Sequence, residues 1–293
     1  RDLHLSIRRQ RQMCIRDSDL SIRLVEDSSD SQSTQARHYH CADSTALQQL
    51  QQSWAFVQRC AHSHLGKVWA VERLGEGELV VYTENLQWRV GDWVRDFESC
   101  PWSVEATLDQ IAGLIEVLAE AQRNNVLHRR LSPDYIYWDG NNLKLLDFSP
   151  CSFTPEDDRR FVTALSPRYV SPERSQWRWA CSFHSAVKAD VYSLGVFAVD
   201  LIYGAKATGQ TAAELLAGLR EVQQIYSLLE QMLREDPRFR PDFIRLRSYL
   251  KGEPEVPVEK VTVPLLVPSR PPPPLTSQVK AAVVPPAVRG RES

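Results

Sequence analysis

The sequence predicts an α+β chain, with strands gathered in its first third and helices dominating after it. Three observations predict this. Strand-like runs recur at Leu20–Val25, Gln35–Tyr39, Lys67–Glu72 and Glu78–Thr83. Helical patterns follow: Ser103–Asn125 carries a one-sided apolar stripe, and Val191–Tyr203 is apolar nearly all round, as suits the middle of a core. Between them, Val126–Ser149 reads as loop, hairpin and acidic loop, with Gly140-Asn141-Asn142 turning between the short strands Ile136–Trp138 and Leu143–Leu146.

The chain has 293 residues, a formal net charge of −2 and 43% apolar residues. That supports one globular domain of roughly 200–250 residues plus tails. The near-neutral balance gives no electrostatic case for nucleic acid or a membrane surface. No run reaches the about 18 apolar residues that a spanning helix needs. Six cysteines (Cys14, Cys41, Cys60, Cys100, Cys151 and Cys181) are scattered without a Cys-x-x-Cys pair. This argues for free thiols in a reducing compartment, and against a disulfide framework or a zinc site. With no secretory signal visible, the expected location is intracellular, cytoplasmic rather than nuclear.

In chain order, residues 1–18 read as a non-native or disordered leader. Leu5-Ser6-Ile7-Arg8 recurs as Leu20-Ser21-Ile22-Arg23, and the basic run between them has no periodicity. A basic localisation patch is the alternative. No glycine precedes Gly66, and no lysine precedes Lys67. Ser44 is placed to cap a helix reaching Cys60, with Leu47, Leu50, Trp54 and Val57 at spacings of three and four. Leu74-Gly75-Glu76-Gly77 joins two strands as a hairpin turn, not a phosphate loop, because no helix follows it. Leu86–Phe97 reads as a short helix or irregular segment. In the helix from Ser103, the stripe is Leu108, Ile111, Ile115 and Leu118, and Asn124-Asn125 supplies the stop. Ten of the eighteen prolines fall in residues 251–293. That density favours an extended, unpacked tail. Within it, residues 268–275 include Arg270-Pro-Pro-Pro-Pro-Leu275, a segment suited to an SH3-, WW- or EVH1-type groove.

His128-Arg129-Arg130-Leu131-Ser132-Pro133-Asp134-Tyr135, the hairpin and Asp147-Phe148-Ser149 together resemble the catalytic and metal-binding loops of protein kinases. Three later stretches also resemble that family. Leu165–Glu173 matches the close of the activation segment, Ala189–Val196 the central helix, and Asp236–Pro241 the last helices. The resemblance spans roughly residues 43–250 and implies a bilobal fold. A small, diverged β-rich N-lobe would occupy 19–85 and a mainly helical C-lobe 86–250, with the tail at 251–293.

The resemblance also assigns the site residues. Asp147 takes the metal-binding position and Tyr137 the floor of the adenine pocket. His128 is expected to pack beneath Phe148, and Asp190 to hold the catalytic-loop backbone. Glu173 and Arg240 are expected to form a buried pair. The chemistry departs from the family's pattern. The base position holds Arg130, whose guanidinium stays protonated and cannot take a proton. The basic helper position holds Ser132, and the Asn position holds Tyr135. No glycine loop and no Val-Ala-x-Lys strand are visible. The helix position of the family's Glu falls near Ser53, among Gln51 and Gln52.

The resemblance therefore implies a pseudokinase, a scaffold or allosteric regulator that binds proteins, an active kinase among them, with no cofactor. The alternative is a divergent Ser/Thr kinase that moves the ATP γ-phosphate to protein hydroxyls with Mg²⁺ at Asp147. Arg130 is expected to reach Asp147 as an internal cation in place of the metal. The other expectation is that Arg130 turns to solvent or toward Glu156-Asp157-Asp158.

Overall fold

The computed structural model describes residues 20–25, 34–40, 44–86, 88–91, 102–148, 165–176, 182–207 and 209–253. The leader, the acidic cluster Glu156-Asp157-Asp158 and the proline-rich tail with residues 268–275 lie outside the described residues.

The N-lobe is one antiparallel sheet with one helix. Strands β1 (Leu20–Val25), β2 (Thr34–His40), β3 (Val68–Gly75) and β4 (Glu78–Glu84) lie in the order β1-β2-β4-β3. Helix α1 (Ser44–Arg59) connects β2 to β3. The registers place Arg37 opposite Val81 and Tyr39 opposite Leu79. The pleat alternates faces, so Arg37 and Tyr39 share a face with Val81 and Leu79, and all four are buried. Gly77 turns the β3–β4 hairpin at φ 86°, where a side chain would be strained.

A small sheet floors the cleft: β5 (Trp88–Arg89), β6 (Ile136–Trp138) and β7 (Leu143–Leu145). Residues 90–91 are helical, in line with the expectation of a short helix or irregular segment over Leu86–Phe97, and the strand β5 corrects it at Trp88–Arg89. Its two residues pair with Trp138 and Tyr137, so partners distant in the chain override local pattern.

The C-lobe is built on α2 (Val104–Arg123) and α4 (Phe183–Tyr203), with α3 (Pro172–Ser175), α5 (Ala212–Ala217), α6 (Gln223–Met232) and α7 (Phe243–Leu250) around them. Ser103 caps α2 by accepting the Ala106 N–H at 3.1 Å. Helix α4 begins eight residues before the expected Val191, because Ser182 and Ser185 form a capping box. Asp190 therefore lies inside the helix. Fifteen of the twenty-one residues of α4, among them Asp190 and Asp200, are buried.

The lobes are joined behind the cleft. The segment between α1 and β3 bonds to β7 through Gly66 N–H to Leu145 O (2.8 Å) and Leu145 N–H to His64 O (2.9 Å). The His64 ring presses on α2 at Gly113, where an added Cβ would sit 2.2 Å from it. Only glycine leaves room for that approach. No helix among the described residues is long and apolar enough to cross a membrane.

Candidate functional site

The loop between α2 and β6 is fixed by groups that sequence singled out. Arg129 is buried at φ 64°, a costly conformation for a long side chain. Its N–H donates to Asp190 Oδ2 at 2.9 Å, which holds the turn. Burial raises the Asp190 carboxyl to about 6, despite the backbone donors and arginines that act against the rise. His128 packs its ring edge on Phe148 at 5.3 Å, and Phe148 meets Phe56 of α1 at 5.7 Å. This stack runs from the loop to the N-lobe helix. Burial first, and Arg130 second, push the His128 imidazole down to about 3, so it is a neutral packing group.

The end of the activation segment is anchored as expected. Arg240 donates to both Glu173 oxygens, at 2.9 and 3.2 Å, and also to the Lys188 and Arg234 carbonyls at 2.6 and 2.8 Å. Both side chains are buried. Nearby, Tyr169 and Arg168 both donate to the buried Asp200 of α4.

The cleft itself differs from expectation at its centre. The guanidinium that meets Asp147 head-on belongs to Arg37 of β2, which forms a buried ion pair with Oδ1. Arg37 is 1% exposed and Asp147 5%. Arg37 also donates to Gln35 Oε1 at 3.0 Å and lies within 3.4 Å of the Thr83 hydroxyl. Tyr137 donates its hydroxyl to Asp147 Oδ2 at 3.0 Å, and the Tyr39 hydroxyl lies 3.4 Å from Oδ1. Burial raises both tyrosines above their ordinary range, so they stay protonated donors. Burial would also raise Asp147. Arg37, then Arg130 and the Tyr137 hydroxyl, outweigh it and hold the carboxyl below its ordinary 3.8. Asp147 keeps this position at φ 58°, a region that Asp tolerates better than most residues.

The expectation that Arg130 is the internal cation is thus corrected in its main part. Arg130 contributes to the field at Asp147 behind Arg37. Its guanidinium lies over the Tyr135 ring, 4.9 Å from the centroid. Tyr137 is buried with its hydroxyl on the carboxylate. The reason Arg37 wins is topological. β2 immediately precedes α1, and its inward Arg37 meets Asp147, the second residue after β7. Sequence reading looked for a lysine on that strand and passed over an arginine. The usable signal was the one arginine or lysine of the short strand just before the helix.

These residues do not fit a Mg²⁺ ion. Magnesium needs several oxygen ligands in octahedral array. Both Asp147 oxygens already accept from protein donors, Tyr135 offers no carboxylate or amide oxygen, and a cation would face Arg37. Among the described residues, no group of three or more His, Cys, Asp or Glu could hold a metal. The nearby Lys144 is committed to Glu84 at 2.7 Å and Asp139 at 3.1 Å, which ties β4 to the β6–β7 turn.

Comparison with known proteins places this geometry in context. Residues 34–250 match the protein kinase domain family. The chain is 28% identical over 163 residues to serine/threonine-protein kinase ULK3 of Xenopus laevis, covering 50% of this chain and 33% of that protein. It is 26% identical over 147 residues to the dual specificity mitogen-activated protein kinase kinase jkk-1 of Caenorhabditis elegans, covering 44% of this chain and 33% of that protein. The chain thus spans about a third of the length of these relatives. The crystal structure of the Mycobacterium tuberculosis PknI kinase domain superposes with a TM-score of 0.56 at 17% identity, covering 82% of this chain and 92% of that one. That likeness concerns the fold alone.

Proposed function

The chain belongs to the protein kinase domain family, and we propose that within it the chain acts as a pseudokinase, a protein-binding scaffold or allosteric regulator that performs no phosphoryl transfer. One observation carries this reading. The carboxylate at the family's metal position, Asp147, is saturated by Arg37, Tyr137 and Tyr39. The family uses that space for metal and phosphate. Here Arg37 pairs with that carboxylate instead. Arg130 at the base position supports the same reading, because a substrate hydroxyl finds no acceptor there. The Phe56–Phe148–His128 stack then holds α1 in one position for a partner to read. The residue 268–275 segment adds a second binding element, for an SH3-, WW- or EVH1-type domain, and the scattered cysteines suit an intracellular setting.

The names of the relatives favour a second reading, a divergent Ser/Thr kinase. Two measurements separate them. A thermal-shift titration with ATP, with and without Mg²⁺ or Mn²⁺, is expected to give no metal-dependent rise in melting temperature, since binding to the native state must stabilise it. A radiolabelled phosphate assay is expected to show no turnover above a catalytically blank control. Robust turnover that Asp147→Asn abolishes establishes the kinase and ends the scaffold reading.

A further inference from the structure

The short stretch Lys144–Phe148 is gripped from four parts of the N-lobe. Lys144 meets Glu84, at the end of β4, at 2.7 Å. Leu145 exchanges backbone bonds with His64 and Gly66, in the segment between α1 and β3. Asp147 pairs with Arg37 of β2, and the Tyr39 hydroxyl of the same strand lies 3.4 Å from it. Phe148 meets the Phe56 ring of α1 at 5.7 Å. Lobes that hinge do so about a few residues that absorb the motion while other contacts part. Here a rotation of the N-lobe about any one of these four places pulls on the other three.

We propose that the Arg37–Asp147 pair is a latch that holds the two lobes closed, so that they move as one body. The scaffold reading concerns what the cleft binds, and this inference goes beyond it to how the lobes move. Two of the four grips are ion pairs, and they differ in exposure. Arg37 and Asp147 are 1% and 5% exposed, whereas Lys144 and Glu84 are 9% and 18% exposed. Pulling a buried pair apart leaves two charges without partners, while charges nearer the surface regain water. Neither end of the buried pair is free to follow the other. Tyr137, on the cleft floor, donates to Asp147 Oδ2 at 3.0 Å, and Arg37 donates to Gln35 of its own strand at 3.0 Å. Arg37–Asp147 therefore resists opening more than Lys144–Glu84 does.

Spin labels carried by a non-natural amino acid are placed at Glu76, in the β3–β4 turn, and at Glu221, just before α6; both positions are exposed. Pulsed electron spin resonance on the full chain, without nucleotide, reads the distribution of distances between the lobes. The parent is expected to give one narrow distribution. Arg37→Met is expected to broaden it by more than about 2 Å, the scale of a domain rearrangement. Glu84→Gln, at the more exposed pair, is expected to broaden it less. Arg37→Met combined with Asp147→Leu separates a latch from a stranded charge. Removing both members of the pair recovers stability, yet the lobes are expected to stay as loose as in Arg37→Met. Melting curves establish that each variant folds, and should Arg37→Met fail to fold, the double variant decides. The proposal is overturned by a broad distribution in the parent, by a folded Arg37→Met or double variant that keeps the narrow one, or by Glu84→Gln broadening it as much as Arg37→Met. Turnover in the phosphate assay ends the scaffold reading and leaves the lobe distances to decide the latch.

Discussion

Two buried arginine–carboxylate pairs divide this molecule. Arg240–Glu173 ties the activation segment to the last helices, and Arg37–Asp147 ties the N-lobe sheet to the floor of the cleft. The first pair is scaffold. Its arginine also serves three backbone carbonyls, so one side chain closes five acceptors. The second stands in the space that the family gives to metal and phosphate. Its carboxylate has two further tyrosine donors, so the charge is shared. The contrast teaches that the same bond type can clamp helices within one lobe and join the two lobes across the cleft.

The comparison breaks most visibly at Arg240. Arg240→Ala leaves the buried Glu173 without its guanidinium partner and removes the donors that the Lys188 and Arg234 carbonyls accept from. It is expected to cost roughly 3–5 kcal/mol, and urea unfolding should show the domain at or beyond its limit of stability. An unchanged midpoint removes the pair from the scaffold.

Arg37→Met is expected to cost less, about 2–3 kcal/mol near neutral pH, because Tyr137 and Tyr39 still donate to Asp147. Here the pH dependence sharpens the contrast. In the parent, Asp147 titrates below its ordinary 3.8. Its stabilising contribution is therefore present above about pH 4 and is lost as pH falls through the depressed value. Without Arg37, burial dominates and raises the carboxyl. The deficit of the variant relative to the parent is then largest near pH 7 and shrinks as acid protonates Asp147. Denaturant melts of both proteins between pH 4 and 8 check this. A deficit that stays constant with pH means that Arg37 acts by packing and not by charge. Adding Asp147→Leu to Arg37→Met is expected to recover most of the loss, since removing both members of a buried pair is often near neutral.

The smallest effect lies away from both pairs. Ser103→Ala removes the side-chain acceptor for the Ala106 N–H and is expected to cost about 1 kcal/mol. A midpoint shift comparable to that of Arg37→Met means that the start of α2 carries more of the fold than its cap explains.

By itself, the sequence determined most of the C-lobe. Apolar periodicity placed α2, and the turn cluster Gly140-Asn141-Asn142 placed the β6–β7 hairpin, because helix and turn signals are local. The motif positions placed His128 under Phe148, Asp190 on the loop backbone and Arg240 on Glu173. Those side chains sit in segments whose order and spacing survive intact. That Arg130 itself cannot take a proton was equally legible, since a guanidinium stays protonated in proteins. Only the tertiary structure decided who answers Asp147. Arg37 lies 110 residues away in the chain, and nothing local marks a strand arginine as the partner of a distant carboxylate. The choice between Arg37 and Arg130 depends on which side chain the sheet register turns inward and which the loop leaves beside Tyr135. The strand β5 was hidden for the same reason. Its pairing energy comes from β6, whereas sequence pattern reports only what a segment prefers alone.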